Sequence, residues 1–194
     1  MNVGRRETGR LFFAGDTYLP RAFPSTIDGV GGLVFNLEHP ITRRTAPATG
    51  KVVLKADAEH FIRTFGGGPL AACLANNHIM DYGPEGLEDT IAALDALGVG
   101  YFGAGTRDDN CGNPIILDMG GIRVALSGYV CPTTHPVFAE GARPGVAPID
   151  AAAITRDTAL ARKAGADRVV VCLHWGAEEV FLPSPGDAAP ERGS

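Results

Sequence analysis

The sequence lacks three features, and each absence argues against a class of protein. It has no apolar run that approaches a membrane span, and polar residues follow Arg5 and Arg6 where a signal peptide would have its apolar stretch. It also has no cluster of basic residues: 17 Lys and Arg stand against 22 Asp and Glu, for a net charge of −5. Such a balance argues against a nucleic-acid-binding surface. We expect a chain that, as written, stays in the cytoplasm, with no membrane span and no nucleic-acid partner.

Cysteine is also scarce, and its spacing excludes a common kind of metal site. The four cysteines, Cys73, Cys111, Cys131 and Cys172, are far apart, and no two of them have zinc-ligand spacing. Cys73 and Cys172 lie inside apolar runs and are expected to pack as small buried residues. The remaining composition is that of a globular protein, with 45% hydrophobic residues, 26 Gly and 14 Pro in 194 residues. This length and this turn content predict one α/β domain.

Four short apolar runs each end at polar residues that can bind metal ions. The runs at 11–14, 33–35, 70–75 and 169–173 precede, in this order, Asp16, Asn36 with Glu38, Asn76-Asn77-His78, and His174. Continuous apolar runs of this length are typical of buried parallel strands. In an α/β sheet, ligands bind beyond the carboxyl ends of the strands, where side chains from several strands converge. The pattern therefore predicts a metal centre at one edge of a sheet.

The rest of the chain alternates predicted helices and strands. A strand, a helix and a strand between residues 70 and 102 form a βαβ unit, with Pro84 at the first helical position and Gly98 after the last. Gly120-Gly121 between two apolar segments predicts a hairpin and hence a mixed sheet. Residues 51–54 are expected to form a short strand. Two further helices are expected, capped by Asp57 and Asp150 and running to Phe65 and Lys163.

Each site residue taken alone also has an ordinary structural interpretation. Gly-Asp after a strand is commonly a turn, Glu38 could be a solvated loop carboxylate, and a lone His174 could donate to a backbone carbonyl in the core. Asn76 and Asn77 could adopt a left-handed turn that His78 caps. The combination at four strand ends favours a metal site, because carboxylates with imidazole suit Mn²⁺, Fe or Zn²⁺. Two such ions could hold the attacking and leaving oxygens of a phosphoryl transfer.

Five segments, in this order, resemble one known family. They are Gly15-Asp16 with Leu19, residues 36–42 (NLEHPIT), residues 75–83 (ANNHIMDYG), Gly103-Ala104-Gly105 and residues 174–178 (HWGAE). Together they resemble the bacterial capsule synthesis protein family CapA, also called the poly-γ-glutamate biosynthesis family. The resemblance implies a calcineurin-like metallophosphoesterase fold of the α/β class, an αββα sandwich with a mixed sheet. It also implies a role in making or exporting an anionic capsule of γ-linked glutamate.

The resemblance implies roles for single residues as well. The implied metal ligands are Asp16, Glu38, Asn77 and His174, and His78 matches the residue beside the reacting group. The residues expected to support this site are Asn36, Asn76, Asp81 and Glu178. The implied cofactor is a divalent metal, as two ions of Mn, Fe or Zn. The implied partners are the capsule polymer machinery or a phosphoester substrate, whose leaving oxygen His78 would protonate.

The end of the chain departs from the family pattern. Family members continue into a segment of the Gly-His-His-Pro-His type that would complete the metal site, whereas residues 183–194 are polar and rich in Pro, Gly and Ala. We therefore expect a C-terminally truncated or frameshifted version of the fold: a flexible segment at 1–9, an incomplete domain at 10–182 and a disordered tail at 183–194. Uncovered apolar surface then predicts self-association.

Three functions stay open on the sequence alone. The chain could be a metal-dependent phosphoesterase, a non-enzymatic binding or assembly subunit of the polyglutamate machinery, or an inactive fragment. Family members are often membrane-associated. Because we expect the metal site to be incomplete, we also expect weak binding of divalent metal and little or no phosphoester turnover.

Overall fold

The computed structural model describes residues 2–6, 10–23, 32–66, 69–105, 111–112 and 114–176. The strands in these ranges are β1 (Asn2–Arg6), β2 (Phe12–Thr17), β3 (Leu33–Leu37), β4 (Pro69–Cys73), β5 (Gly100–Phe102), β6 (Ala104–Gly105), β7 (Ile115–Met119), β8 (Ile122–Val130), β9 (Gly145–Val146) and β10 (Arg168–His174). The helices are α1 (Ala58–Phe65), α2 (Gly83–Ala96) and α3 (Ala151–Lys163), with a 3₁₀ turn at Pro132–Thr134.

Most strands belong to two four-stranded sheets. The first sheet has the order β2-β3-β4-β5, and all its strands are parallel. The second has the order β1-β7-β8-β10, with β7 antiparallel to β8 and the outer pairs parallel. The short strands β6 and β9 pair with each other. The predicted mixed sheet is therefore confirmed.

Three apolar clusters show how the layers pack. Phe61 of α1 and Leu87 of α2 belong to one cluster with Phe35 of β3, on the outer face of the first sheet. A second cluster, drawn from β3, β4, β7 and β8, fills the space between the two sheets. On the far side, Ala161 of α3 packs with Ala125 of β8. The layer order is helix, sheet, sheet, helix, which confirms the predicted αββα sandwich.

Several predicted elements form as expected. β4, α2 and β5 make the βαβ unit, with a proline in the first turn of α2 and Gly98 beyond its end at a φ of 67°. Gly120 and Gly121, with φ of 69° and 94°, turn the hairpin between β7 and β8. Asp150 caps α3 by accepting a hydrogen bond from the Ala153 N–H at 2.6 Å. The longest of the described helices has 14 residues, and none combines the length and the apolar character of a membrane span.

Residues 51–54 do not form the predicted strand. Their polar groups bond to a side chain instead of a neighbouring strand: the Leu54 N–H donates to Asp81 Oδ2 at 2.7 Å, and Lys51 Nζ lies 2.7 Å from Asp81 Oδ1. Val52, apolar as a strand residue would be, is 75% exposed. An apolar run shows neither where its backbone bonds go nor whether its side chains become buried.

Two other expectations differ from the structure. Asn2–Arg6 form β1, parallel to β7, where we expect a flexible segment; this pairing uses backbone groups, which no apolar pattern reveals. Asp57 takes the N-cap position of α1 without a side-chain cap bond, because its carboxylate accepts from Arg43 Nε at 3.2 Å. Residues 7–9 and 177–194 lie outside the described residues, so the expected tail at 183–194 stays a prediction.

Candidate metal centre

Four strands bring the predicted metal ligands to one edge of the sandwich. Asp16 lies near the end of β2, Glu38 directly follows β3, and Asn77 follows β4. These strands are parallel neighbours in the first sheet, so their carboxyl ends meet at the same edge. His174 is the last residue of β10 and comes from the second sheet. We call these four residues the strand-end cluster.

His174 lies at the centre of the cluster. Its Nε2 is 3.0 Å from Asn77 Oδ1 and 3.8 Å from Glu38 Oε1, and its Nδ1 is 3.5 Å from Asp16 Oδ1. One ligand atom from each of Asp16, Glu38 and His174 can be chosen so that all three lie within 4.8 Å of one another. The structure thus brings together all four residues that the sequence predicts as ligands.

The spacing of these donors is that of ligands around a single ion. Two ligands about 2.1 Å from one ion lie about 3.4 Å apart in a tetrahedral site. His174 Nε2 lies 3.8 Å from Glu38 Oε1 and 3.0 Å from Asn77 Oδ1, and one ligand atom of Asp16 comes within 4.8 Å of those of Glu38 and His174. Two carboxylates, an imidazole and an amide oxygen are also donors that Mn²⁺, Fe and Zn²⁺ accept. The residues therefore fit a divalent metal. These four donors are enough for one ion, and the second ion stays a prediction.

Asn36 holds Asp16 in place. Its Nδ2 donates to Asp16 Oδ1 at 2.6 Å and lies 3.3 Å from His174 Nδ1. The hydrogen bond with His174 is the main reason that the pKa of Asp16 is lowered below its ordinary value, with the Asn36 bond adding to it against partial burial. Asp16 is therefore ionised at neutral pH, as a metal ligand must be.

Asn76 links the cluster to the turn after β4. Its Nδ2 donates to Asn36 Oδ1 at 3.0 Å and to the Leu37 carbonyl at 2.9 Å. Its Oδ1 accepts from the backbone N–H groups of His78 and Ile79 at 3.0 and 2.8 Å. This buried amide therefore ties β3 to the turn that carries Asn77 and His78. These bonds place Asn36 beside Asp16 and His174 and Asn76 behind Asn36.

His78 is oriented by a buried carboxylate. Its Nδ1 lies 2.8 Å from Asp81 Oδ2, and the Asp81 side chain is 0% exposed. Burial opposes ionisation of Asp81, but its hydrogen bonds with His78, Lys51 and the Leu54 N–H lower its pKa overall. An ionised carboxylate only accepts, so His78 Nδ1 carries the proton and Nε2 is left to exchange a proton with a ligand.

Sequence reasoning missed Lys51 in this arrangement. Its ammonium lies 2.7 Å from Asp81 Oδ1 and donates to the Asn77 carbonyl at 2.6 Å. No spacing or motif in the sequence connects Lys51 with Asn77 and Asp81, which follow it by 26 and 30 positions. The contacts depend on the path of the segment between β3 and α1. Glu178, the remaining predicted support, lies outside the described residues.

Comparison with known proteins places this geometry in a family. Over 161 residues the chain is 31% identical to the capsule biosynthesis protein CapA of Bacillus anthracis. The aligned region covers 79% of this chain and 39% of that protein. It is 34% identical over 131 residues to a probable polyglutamine synthesis accessory protein of Mycobacterium tuberculosis, covering 62% of this chain and 34% of the relative. It is 33% identical over 105 residues to the PGA biosynthesis protein CapA of Bacillus subtilis, and this region covers 54% of this chain and 27% of that relative.

The match therefore spans well under half the length of these relatives. The model of the family described as bacterial capsule synthesis protein PGA_cap matches residues 10–189. This range contains every residue of the strand-end cluster, together with His78 and Asp81. The chain belongs to the bacterial capsule synthesis protein family PGA_cap.

Proposed function

We propose that this chain carries a divalent-metal centre of the phosphoesterase type within a protein of bacterial capsule synthesis. The observation that carries the proposal is the convergence of Asp16, Glu38 and His174, with ligand atoms within 4.8 Å of one another. Core packing does not require two carboxylates and an imidazole at one sheet edge. An ion at this position would offset the repulsion between the two carboxylates.

The capsule role rests on the family and on the names of the relatives. Two of them are named for capsule or PGA biosynthesis and one for polyglutamine synthesis. We propose the same process for this chain, with the polymer machinery or a phosphoester of that process as its partner. The strand-end cluster lies in the part of the chain that aligns with the family.

Each residue has a defined part in the proposed chemistry. Asp16, Glu38, Asn77 and His174 would hold the ion, which when bound would polarise a phosphoryl oxygen. Asn36 fixes the Asp16 carboxylate and keeps it from turning away. His78 is held by Asp81 through Nδ1 and presents Nε2, from which its imidazolium form would donate a proton to a leaving oxygen.

A second function, binding without catalysis, is favoured by one observation. Among the described residues, the groups that cluster closely enough to hold a metal ion are Asp16, Glu38 and His174. With Asn77 they make four donors, which suit one ion, whereas a two-metal mechanism needs further ligands. A single ion could serve an assembly or binding subunit of the polyglutamate machinery.

Metal binding and hydrolysis, measured on the same preparations, test the proposal. We expect calorimetry to show Mn²⁺ binding to the 194-residue chain and at least tenfold weaker binding to Asp16→Asn. Asp95→Asn, the same change on the exposed face of α2, is expected to bind like the wild type.

Turnover then separates the two functions. Hydrolysis of an aryl phosphate that requires Mn²⁺ and is lost in Asp16→Asn supports the phosphoesterase. Mn²⁺ binding that depends on Asp16 with no hydrolysis supports the binding subunit. No Mn²⁺ binding, or equal binding by Asp16→Asn and wild type, overturns the metal centre.

A further inference from the structure

A cavity of about 390 Å³ adjoins the strand-end cluster. Its lining includes Lys51, Asn77, His78, Thr133, Thr134 and His135; we call it the Lys51 cavity. Asn77 belongs to both sites, because its Oδ1 lies 3.0 Å from His174 Nε2 and the residue also lines the cavity. A volume in this range accommodates a small ligand group with water rather than a polymer.

The two sites present different kinds of side chain. The strand-end cluster contributes two carboxylates, Asp16 and Glu38. The described residues that line the Lys51 cavity include a lysine and two histidines but no Asp or Glu. The Asp81 carboxylate contacts this lining but is fully buried, and it is bonded to His78, Lys51 and the Leu54 N–H. The cavity is therefore a place for a negatively charged group.

Lys51 is held ready for such a group. Within the described residues its ammonium makes two contacts, with Asp81 Oδ1 at 2.7 Å and with the Asn77 carbonyl at 2.6 Å. An ammonium has three N–H donors, so one is left for a ligand. The side chain is 29% exposed, and its two fixed contacts reduce the conformational entropy that binding would cost.

The opposite wall is the turn after β8. His135 has φ of 55° and ψ of 49°, and it is the one residue other than glycine with positive φ in the described ranges. Non-glycine residues kept in this region are often found at functional sites. Thr133 and Thr134, in the turn that precedes His135, also belong to the lining.

The geometry points to the Lys51 cavity as the subsite for an oxyanion, carboxylate or phosphate, that the substrate carries in addition to the group at the strand-end cluster. This inference rests on the proposed function, because it places the oxyanion beside the reacting group. Lys51 and His135 bind this second group and thereby select a substrate with at least two anionic groups. A phosphoester that also carries a carboxylate belongs to this class.

Calorimetry with two small oxyanions tests the subsite. Inorganic phosphate and glutarate are titrated into the chain with and without Mn²⁺, and neutral glutaramide serves as the control for glutarate. We expect both Lys51→Met and His135→Asn to weaken oxyanion binding, about tenfold for the lysine, as for a lost charge-assisted hydrogen bond. Lys163→Met removes the same charge from the last turn of α3 and is expected to have no effect.

The use of two variants keeps the test informative if one of them unfolds. Asparagine tolerates the left-handed conformation of His135, and His135 is exposed, so His135→Asn stays informative if Lys51→Met unfolds. Binding of phosphate, glutarate or both that depends on these residues supports the subsite and identifies its preferred oxyanion.

Two results overturn the inference, and one separates it from the proposed function. Oxyanion binding that both variants retain and Asp16→Asn loses would mean that the anion sits at the metal alone, and the proposed function would stand. Absence of binding by either probe also overturns the subsite. If Mn²⁺ does not bind but Lys51 and His135 still bind the oxyanion, the proposed function alone fails.

Discussion

Asp81 is the residue on which the orientation of the site depends most. It is a fully buried carboxylate that holds the imidazole of His78, the ammonium of Lys51 and the backbone N–H of Leu54. A buried charge is tolerated only when it is paired and hydrogen-bonded. The three contacts join the turn after β4 to the segment 51–54, so a change at Asp81 affects both.

Replacing Asp81 by Asn is expected to destabilise the protein in a pH-dependent way. At neutral pH the loss of its charge-assisted bonds should lower the free energy of unfolding by about 2 kcal/mol. The folded-state pKa of Asp81 lies below the ordinary value of 3.8. Its contribution is therefore complete above about pH 4 and is lost as the pH falls through the folded pKa. Urea unfolding from pH 2.5 to 7 measures this.

The control for this change is Asp95→Asn on the exposed face of α2, which should unfold like the wild type. The stability difference between Asp81→Asn and the wild type should shrink as the pH falls, because protonation removes the charge of the Asp81 carboxylate. An equal difference at pH 2.5 and pH 7 would contradict a contribution from the Asp81 charge.

Single residues differ in how far the sequence predicts them. Asp16, Glu38, Asn77 and His174 were predictable because each follows an apolar run, and the structure brings them together. Lys51 and His135 were not, because they lie in irregular segments whose path depends on the packed fold. Their contacts with the cavity come from tertiary structure, which a one-dimensional pattern does not contain.

At the scale of elements, the strands and helices that carry the site follow from apolar patterns and helix caps. β4, α2 and β5 form from such signals. The predicted strand at 51–54 is wrong, because its backbone bonds to Asp81. β1 was missed because residues 2–6 (NVGRR) contain no apolar run that would indicate a strand.

The turn after β5 should be more sensitive than the turn after α2. Gly103 and Gly98 both have positive φ, 90° and 67°. A Cβ on Gly103 would lie 2.7 Å from Ala75 Cβ, whereas a Cβ on Gly98 would meet nothing within 4 Å. Alanine at either costs about 1–2 kcal/mol from the backbone, and Gly103→Ala adds about 1–3 kcal/mol of overpacking.

Ala75 immediately precedes Asn76 and Asn77, so the clash at Gly103 should also displace the strand-end cluster. We expect Gly103→Ala to weaken Mn²⁺ binding and Gly98→Ala to leave it unchanged. Chemical denaturation and calorimetry of both variants check the two effects. Equal stability loss in the two variants would show that the contact with Ala75 is unimportant.

For the whole molecule, the edges of both sheets beside the metal centre carry exposed apolar side chains. These are Phe12 and Phe13 on β2, Leu173 on β10, and Trp175 just beyond it, all between 47% and 51% exposed. In the part of the chain that the structure describes, β2 and β10 are the edge strands of their sheets. Exposed apolar edges favour association with another chain.

We therefore expect the 194-residue chain to self-associate as its concentration rises. Phe13→Lys should reduce this association, because a charged residue on an edge strand opposes pairing. Ile122→Lys, at an equally exposed apolar residue in the hairpin between β7 and β8, is the control. Sedimentation velocity measures the association. A wild type that stays monomeric at all concentrations would contradict the prediction.

The layer order was predictable from the resemblance of five segments to a known family, and the mixed sheet from the hairpin at Gly120-Gly121. The Lys51 cavity was not predictable, because the turn after β8 and the segment 51–54 approach it from distant parts of the chain. The packing of the two sheets, rather than any local sequence signal, sets the distance between the turn after β8 and the segment 51–54.

Anomalous scattering from crystals soaked in Mn²⁺ tests the central claim most directly. The account predicts an anomalous peak bounded by the side chains of Asp16, Glu38 and His174, with Asn77 Oδ1 beside it. A peak at another place, or no peak while these side chains keep their present contacts with one another, would contradict the metal centre.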